Sequence, residues 1–129
     1  MQQPPIVLLV DDYLDVLEMY EEYLTFRGYQ VVTASNGATA IDLARKTPPA
    51  LILMDLQMGG MTGTEAMRVL RADPVFEQTP IVALTAHAMD VERGAALDAG
   101  FDEVLAKPCL PEDLATAVAR LLATARSGS

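Results

Sequence analysis

"LILMDLQMGG", residues 51–60, carries four apolar residues into an aspartate, Asp55, and then into a loop with a glycine pair. The run is short for a helix and does not alternate, which suits a strand buried on both faces of a parallel sheet. Similar apolar runs occur at residues 6–10, 31–34, 81–84 and 104–106. The stretches between them are longer and amphipathic. Leu17, Tyr20 and Leu24 recur at helical spacing before Gly28, a stop signal. Asn36 can cap a second helix that Pro48 and Pro49 end. Ala66, Val69 and Leu70 mark one side of a third, which stops before Pro74. A fourth, over 88–100, is weakened by Gly94, and a fifth starts near Pro111 with an acidic first turn and a Leu114, Val118, Leu121 stripe.

Strand–helix alternation of this kind predicts an α/β fold, a doubly wound five-stranded parallel sheet with helices on both faces. Right-handed crossovers leave few topologies, and the expected strand order is 2-1-3-4-5, with ligands bound beyond the carboxyl ends of the strands. The 129 residues fit a single domain, 1–129, with a core over about 6–125 and loose ends at 1–5 and 126–129.

Nine Lys and Arg against eighteen Asp and Glu give a net charge of −9, which argues against direct nucleic-acid binding. The single cysteine, Cys109, allows no intrachain disulfide and fits a reducing compartment. No apolar run approaches the roughly 18–20 residues that span a bilayer, so no membrane association is expected. The N-terminus lacks the features of a signal peptide, and a cytoplasmic location is expected.

The strand ends carry the chemistry. The first strand ends at Asp11 and Asp12, the third at Asp55, the fourth at Thr85 and the fifth at Lys107. In the expected order these four strands are neighbours, so three carboxylates, a hydroxyl and an ammonium line one rim. Crowded carboxylates hold protons more tightly unless a cation relieves them. An all-oxygen donor set with room for water suits Mg²⁺, and the lone His87 and Cys109 offer no zinc cluster. A carboxylate beside Mg²⁺ and a lysine can attack phosphorus and form an acyl phosphate. The cation, Lys107 and Thr85 would stabilise the phosphoryl oxygens.

With these pieces in place, the chain resembles the receiver domain of two-component response regulators, on "LLVDD" (8–12), "LILMDLQM" (51–58), "VALTA" (82–86) and "VLAKP" (104–108). The resemblance covers nearly the whole chain and implies the flavodoxin-like (βα)5 receiver fold. It implies that Asp55 is the phosphoacceptor, taking phosphoryl from a phosphohistidine on a histidine kinase or phosphotransfer protein, with small phosphodonors as possible substitutes. It implies direct Mg²⁺ ligation by Asp12, Asp55 and the backbone carbonyl of Gln57, with Asp11 acting through water. Thr85 and Lys107 would contact the phosphoryl group, and the bond before Pro108 is expected to be cis. Gln57, Ala86, His87 and Val104 fall at positions that modulate the chemistry or its readout. Val16, Met19, Met58 and Pro108 are the expected docking patch for the kinase's histidine-bearing helices.

Three positions depart from the family pattern. Gly59 replaces a usual proline and Thr62 a frequent aspartate, which predicts a looser loop after Asp55. Val104 stands where an aromatic residue usually turns inward on activation, so that switch is expected to be absent or weak.

The resulting expectation is a signalling module, not an enzyme beyond its own phosphorylation and dephosphorylation. Met1 favours a stand-alone regulator, and the "RSGS" tail leaves open a receiver from a hybrid kinase. Three alternatives remain open at this level. A phosphatase of the haloacid-dehalogenase type shares the strand-end aspartate but expects a second acid where Gln57 stands. A flavin or nucleotide binder shares the fold, against which the acidic first loop, "VDDYLD", argues. A phosphorylation-independent scaffold would not need the five polar residues.

Overall fold

Each apolar run becomes a strand, and each amphipathic stretch a helix. The computed structural model describes residues 3–127; the expectation of loose ends at residues 1–2 and 128–129 lies outside them. The elements are β1 (Ile6–Val10), α1 (Leu14–Phe26), β2 (Gln30–Ala34), α2 (Gly37–Lys46), β3 (Leu51–Asp55), α3 (Gly63–Arg71), β4 (Ile81–Thr85), α4 (Asp90–Ala99), β5 (Glu103–Ala106) and α5 (Pro111–Ser127). A 3₁₀ turn, Pro74–Phe76, links α3 to β4. The helix α5 continues through Ser127, past the point where the sequence suggests fraying.

The sheet has the order β2-β1-β3-β4-β5, and every pairing is parallel. Side chains alternate across it, as the pleat requires. Leu8, Val10, Ile52, Met54, Ile81, Ala83 and Val104 face the layer that contains α2, α3 and α4. Val7, Leu9, Leu51, Leu53, Val82 and Leu84 face α1 and α5. Both faces of the central strands are therefore dry, which explains the unbroken apolar runs.

Helix ends follow local chemistry. The Asn36 side chain accepts the Thr39 N–H at 2.8 Å and caps α2. Thr62 caps α3 in a reciprocal box: its hydroxyl accepts the Glu65 N–H at 3.1 Å, and the Glu65 carboxylate accepts the Thr62 N–H at 2.8 Å. Thr62, a departure from the family pattern, thus anchors the far end of the loop after Asp55. In α3 the buried stripe is Ala66, Met67 and Leu70, whereas Val69, expected in the core, is 38% exposed. The fourth helix forms despite Gly94, but only Ala96 of it is buried.

Candidate functional site

The ladders of the sheet extend one residue past the strands and fix the polar rim. The Asp11 N–H donates to the Ala34 carbonyl at 3.1 Å, and the Leu56 N–H to the Leu84 carbonyl at 2.9 Å. The Lys107 N–H donates to the Thr85 carbonyl at 2.8 Å, which sets the lysine beside the end of β4. Continuing the alternation of β1, β3 and β5, residues 11, 55 and 107 fall on the α1/α5 side of the sheet.

The three carboxylates converge: one oxygen each from Asp11, Asp12 and Asp55 lies within 4.8 Å of the others. Asp11 is 0% exposed and Asp55 2%, while Asp12 is open to solvent. The Lys107 ammonium lies 2.7 Å from Asp11 Oδ2 and 3.5 Å from Asp55 Oδ2. Asp11 Oδ1 accepts the Tyr13 N–H at 2.9 Å, so the protein engages both of its oxygens. Asp55 Oδ1 accepts the Gln57 N–H at 3.1 Å, and Asp12 Oδ2 accepts the Gly59 N–H at 3.4 Å.

One ammonium does not balance three carboxylates, and the proton affinity of Asp55 reflects this. Burial, followed by the neighbouring Asp11 carboxylate, pushes the Asp55 carboxyl up to about 6 against an ordinary 3.8. The Gln57 N–H and Lys107 pull the other way and lose. For Lys107, burial favours the neutral amine, but hydrogen bonds and charge from Asp11 and Asp55 outweigh it and raise the pKa above its ordinary value. The donor set is hard oxygen, partly open, with surplus negative charge; it fits a divalent cation such as Mg²⁺.

The remaining expected residues are placed as follows. Thr85 is buried, and its Oγ1 accepts the His87 N–H at 2.9 Å. The Gln57 side chain reaches Thr85, its Nε2 donating to Oγ1 at 3.0 Å. Ala86 and His87 are exposed at the start of the β4–α4 loop. The Lys107–Pro108 bond is cis. Val104 is 1% exposed, and its carbonyl accepts a hydrogen bond from Arg93 of α4 at 3.0 Å. Val16, Met19 and Pro108 line the same open cleft as Asp12, Asp55 and Lys107, a volume of about 510 Å³. Met58, expected beside them, does not line this cleft: at 7% exposure it packs in the core layer with α2 and α3.

Two supporting residues carry a role that the sequence reading did not assign. The buried Tyr20 of α1 donates its hydroxyl to the Cys109 carbonyl at 2.6 Å and so pins the segment that follows Lys107. Its only sequence signal is apolar spacing, which marks it as core. Gly63 opens α3 directly against β3, where any Cβ would collide with the backbone carbonyl of Asp55. Gly63→Ala is expected to destabilise the fold by about 1–3 kcal/mol, the usual cost of forced overpacking. It would also move Asp55, so urea unfolding and Mg²⁺ titration of the variant should both report the change.

The family model described as response regulator receiver domain matches residues 7–119. The transcriptional regulatory protein KdpE of Mycobacterium tuberculosis is 37% identical over 103 residues, 80% of this chain and 44% of that protein. The sensor protein GacS of Pseudomonas syringae pv. syringae is 40% identical over 117 residues, 88% of this chain and 13% of that protein. The response regulator MprA of Mycobacterium sp. is 38% identical over 119 residues, 92% of this chain and 51% of that protein. The chain thus spans about half or less of the length of these curated relatives. Among solved structures, the chemotaxis protein CheY4 of Vibrio cholerae superposes with a TM-score of 0.87 at 31% identity, covering 92% of this chain and 98% of that one. The receiver domain of sensor histidine kinase PA1611 from Pseudomonas aeruginosa, solved with a magnesium ion in its active-site cleft, gives 0.85 at 32% identity, covering 93% and 98%.

Proposed function

This chain belongs to the response regulator receiver family, and on that premise we propose that it is a Mg²⁺-dependent phosphoacceptor switch with Asp55 as the phosphorylated residue. The observation that carries the reading is the convergence of Asp11, Asp12 and Asp55, with the Lys107 ammonium against Asp11 and Asp55, at the ends of β1, β3 and β5. The donor is a phosphohistidine on a histidine kinase or phosphotransfer protein. An Asp55 carboxylate oxygen forms a bond to phosphorus as the P–N bond to imidazole breaks, and the freed imidazole nitrogen takes up a proton. Lys107 neutralises charge on the transferring group, and Thr85 and the Ala86 N–H donate to its oxygens.

Asp12, Asp55 and the Gln57 carbonyl would hold Mg²⁺ directly. Asp11, with both oxygens already engaged, acts through water. When bound, the cation neutralises the acidic cluster and the phosphoryl oxygens. Because Asp55 must be ionised to bind it and titrates near 6, Mg²⁺ affinity should be flat above about pH 7. It should fall toward tenfold per unit below about pH 6. Isothermal titration calorimetry with Mg²⁺ at pH 5, 6 and 7.5 checks this; pH-independent affinity would contradict it.

The module works in the cytoplasm by protein contact, and Val16, Met19 and Pro108 beside the acidic rim receive the kinase helix. Readout does not use an aromatic rotamer at position 104, where a buried valine stands; it runs through backbone shifts in the β4–α4 loop or through another side chain such as His87. Phosphoramidate, a small P–N donor, tests the assignment. Intact-mass analysis should show a Mg²⁺-dependent gain of one phosphoryl group in the wild type and none in Asp55→Ala. A gain in Asp55→Ala would place the chemistry elsewhere.

A further inference from the structure

Two donors at the end of β4 converge on one oxygen. The Thr85 hydroxyl lies 3.2 Å from Gln57 Oε1, and the Ala86 N–H lies 3.3 Å from the same atom. The amide nitrogen of Gln57 closes the arrangement with its 3.0 Å bond back to Thr85 Oγ1. A hydroxyl and a backbone N–H aimed at one oxygen form an oxyanion cradle. Its occupant here is neutral and internal, and it comes from the loop that follows Asp55. Gln57 is held in place at its other end as well, because its own N–H donates to Asp55 Oδ1 at 3.1 Å.

We propose that the Gln57 carboxamide is a built-in competitor for the phosphoryl group, holding Thr85 and Ala86 while Asp55 is unmodified and leaving when phosphoryl arrives. The inference rests on the phosphoacceptor reading of Asp55. A hydroxyl has one proton to give, so Thr85 serves either Gln57 Oε1 or a phosphoryl oxygen. The Ala86 N–H faces the same choice. A charged phosphoryl oxygen makes the stronger bond and wins, but it must first displace the amide. Gln57 is thus a positioning residue: it satisfies the cradle at rest and raises the threshold for occupancy. Its release also gives β4 a side-chain signal of occupancy in a chain whose Val104 has no ring to move.

Beryllofluoride, a phosphoryl mimic, tests this in the full chain at Mg²⁺ concentrations saturating for each protein. Gln57→Ala and Gln57→Asn, the latter one methylene too short to reach, should both bind it about three- to tenfold more tightly than wild type, the range expected for the net loss of one hydrogen bond, with water replacing the other. The Ala86 amide proton, followed by NMR, should move in the unliganded variants toward the position of an unbonded amide. A folded variant with unchanged or weaker mimic affinity would overturn the proposal. It would instead fit a Gln57 that supports the bound phosphoryl or orients water. Binding by none of the three proteins would overturn it at its root, by removing the phosphoacceptor reading itself.

Discussion

Asp55→Asn is expected to make the metal-free protein more stable at pH 7, by on the order of 2–3 kcal/mol, while abolishing phosphorylation. The cause is the proton affinity of Asp55 in the fold, raised from 3.8 to about 6 by burial and by Asp11. A carboxyl that binds its proton more tightly when folded contributes stability below its unfolded pKa and loses it as pH rises through the folded value. At pH 7 the wild type therefore carries the whole penalty, about 1.4 kcal/mol per unit. Asparagine keeps the shape and removes the charge. Thermal or urea unfolding in EDTA should show the wild type losing stability between about pH 4 and pH 6 relative to the variant. Added Mg²⁺ should close the gap by stabilising the wild type. A variant less stable than wild type at pH 7 without metal would contradict this electrostatic account.

Lys107→Ala is expected to act in the opposite direction. The ammonium is the one cation within salt-bridge distance of Asp11 and Asp55 among the described residues. Removing it leaves Asp11, 0% exposed, as an uncompensated buried carboxylate. Breaking a fully enclosed pair typically costs about 3–5 kcal/mol. The Lys107 side chain keeps 21% exposure, so about 2–3 kcal/mol is expected at pH 7 without metal. Mg²⁺ at about a hundredfold over its dissociation constant returns about 2.7 kcal/mol. The variant should gain at least as much from Mg²⁺ as the wild type does, since more of its negative charge is unrelieved. Phosphorylation should remain slow even then, because no protein cation faces the transferring group. Chemical unfolding with and without Mg²⁺ reads the first effect and intact mass over time the second; a variant as stable as wild type in EDTA would contradict the pairing argument.

The two substitutions together separate charge from shape, and they also show what kind of information the sequence held. The unbroken apolar runs at residues 6–10 and 51–54 already required strands covered on both faces. The polar residues that follow them could then fall only at one end of the sheet. Asp11, Asp12, Asp55, Thr85 and Lys107 were legible for that reason: strand direction and order bring them together without any detail of side-chain packing. Helix faces were less legible. Val69 and Met67 differ by two positions in α3, and only the path of that helix over the sheet turns Met67 inward. Met58 looked like a surface residue after the site; the loop folds it under instead.

What stayed hidden depends on close approach between distant segments. Nothing in "MTGTEA" announces that Gly63 lies against the Asp55 carbonyl. The Tyr20 bond to the Cys109 carbonyl joins residues 89 positions apart, and apolar spacing cannot distinguish a tyrosine that merely packs from one that pins a loop. The contact between Gln57 and Thr85 is of the same kind.

The measurement that tests the central claim most directly is the location of the phosphoryl group. The protein, treated with phosphoramidate and Mg²⁺, is reduced with borohydride, which converts an acyl phosphate to an alcohol, and then digested for peptide mass analysis. The account predicts that the peptide containing "LILMDLQM" carries homoserine at position 55, that the change requires Mg²⁺, and that no other aspartate is converted. Conversion at Asp11 or Asp12, or a phosphoryl group that resists borohydride because it sits on histidine or a hydroxyl, would contradict it.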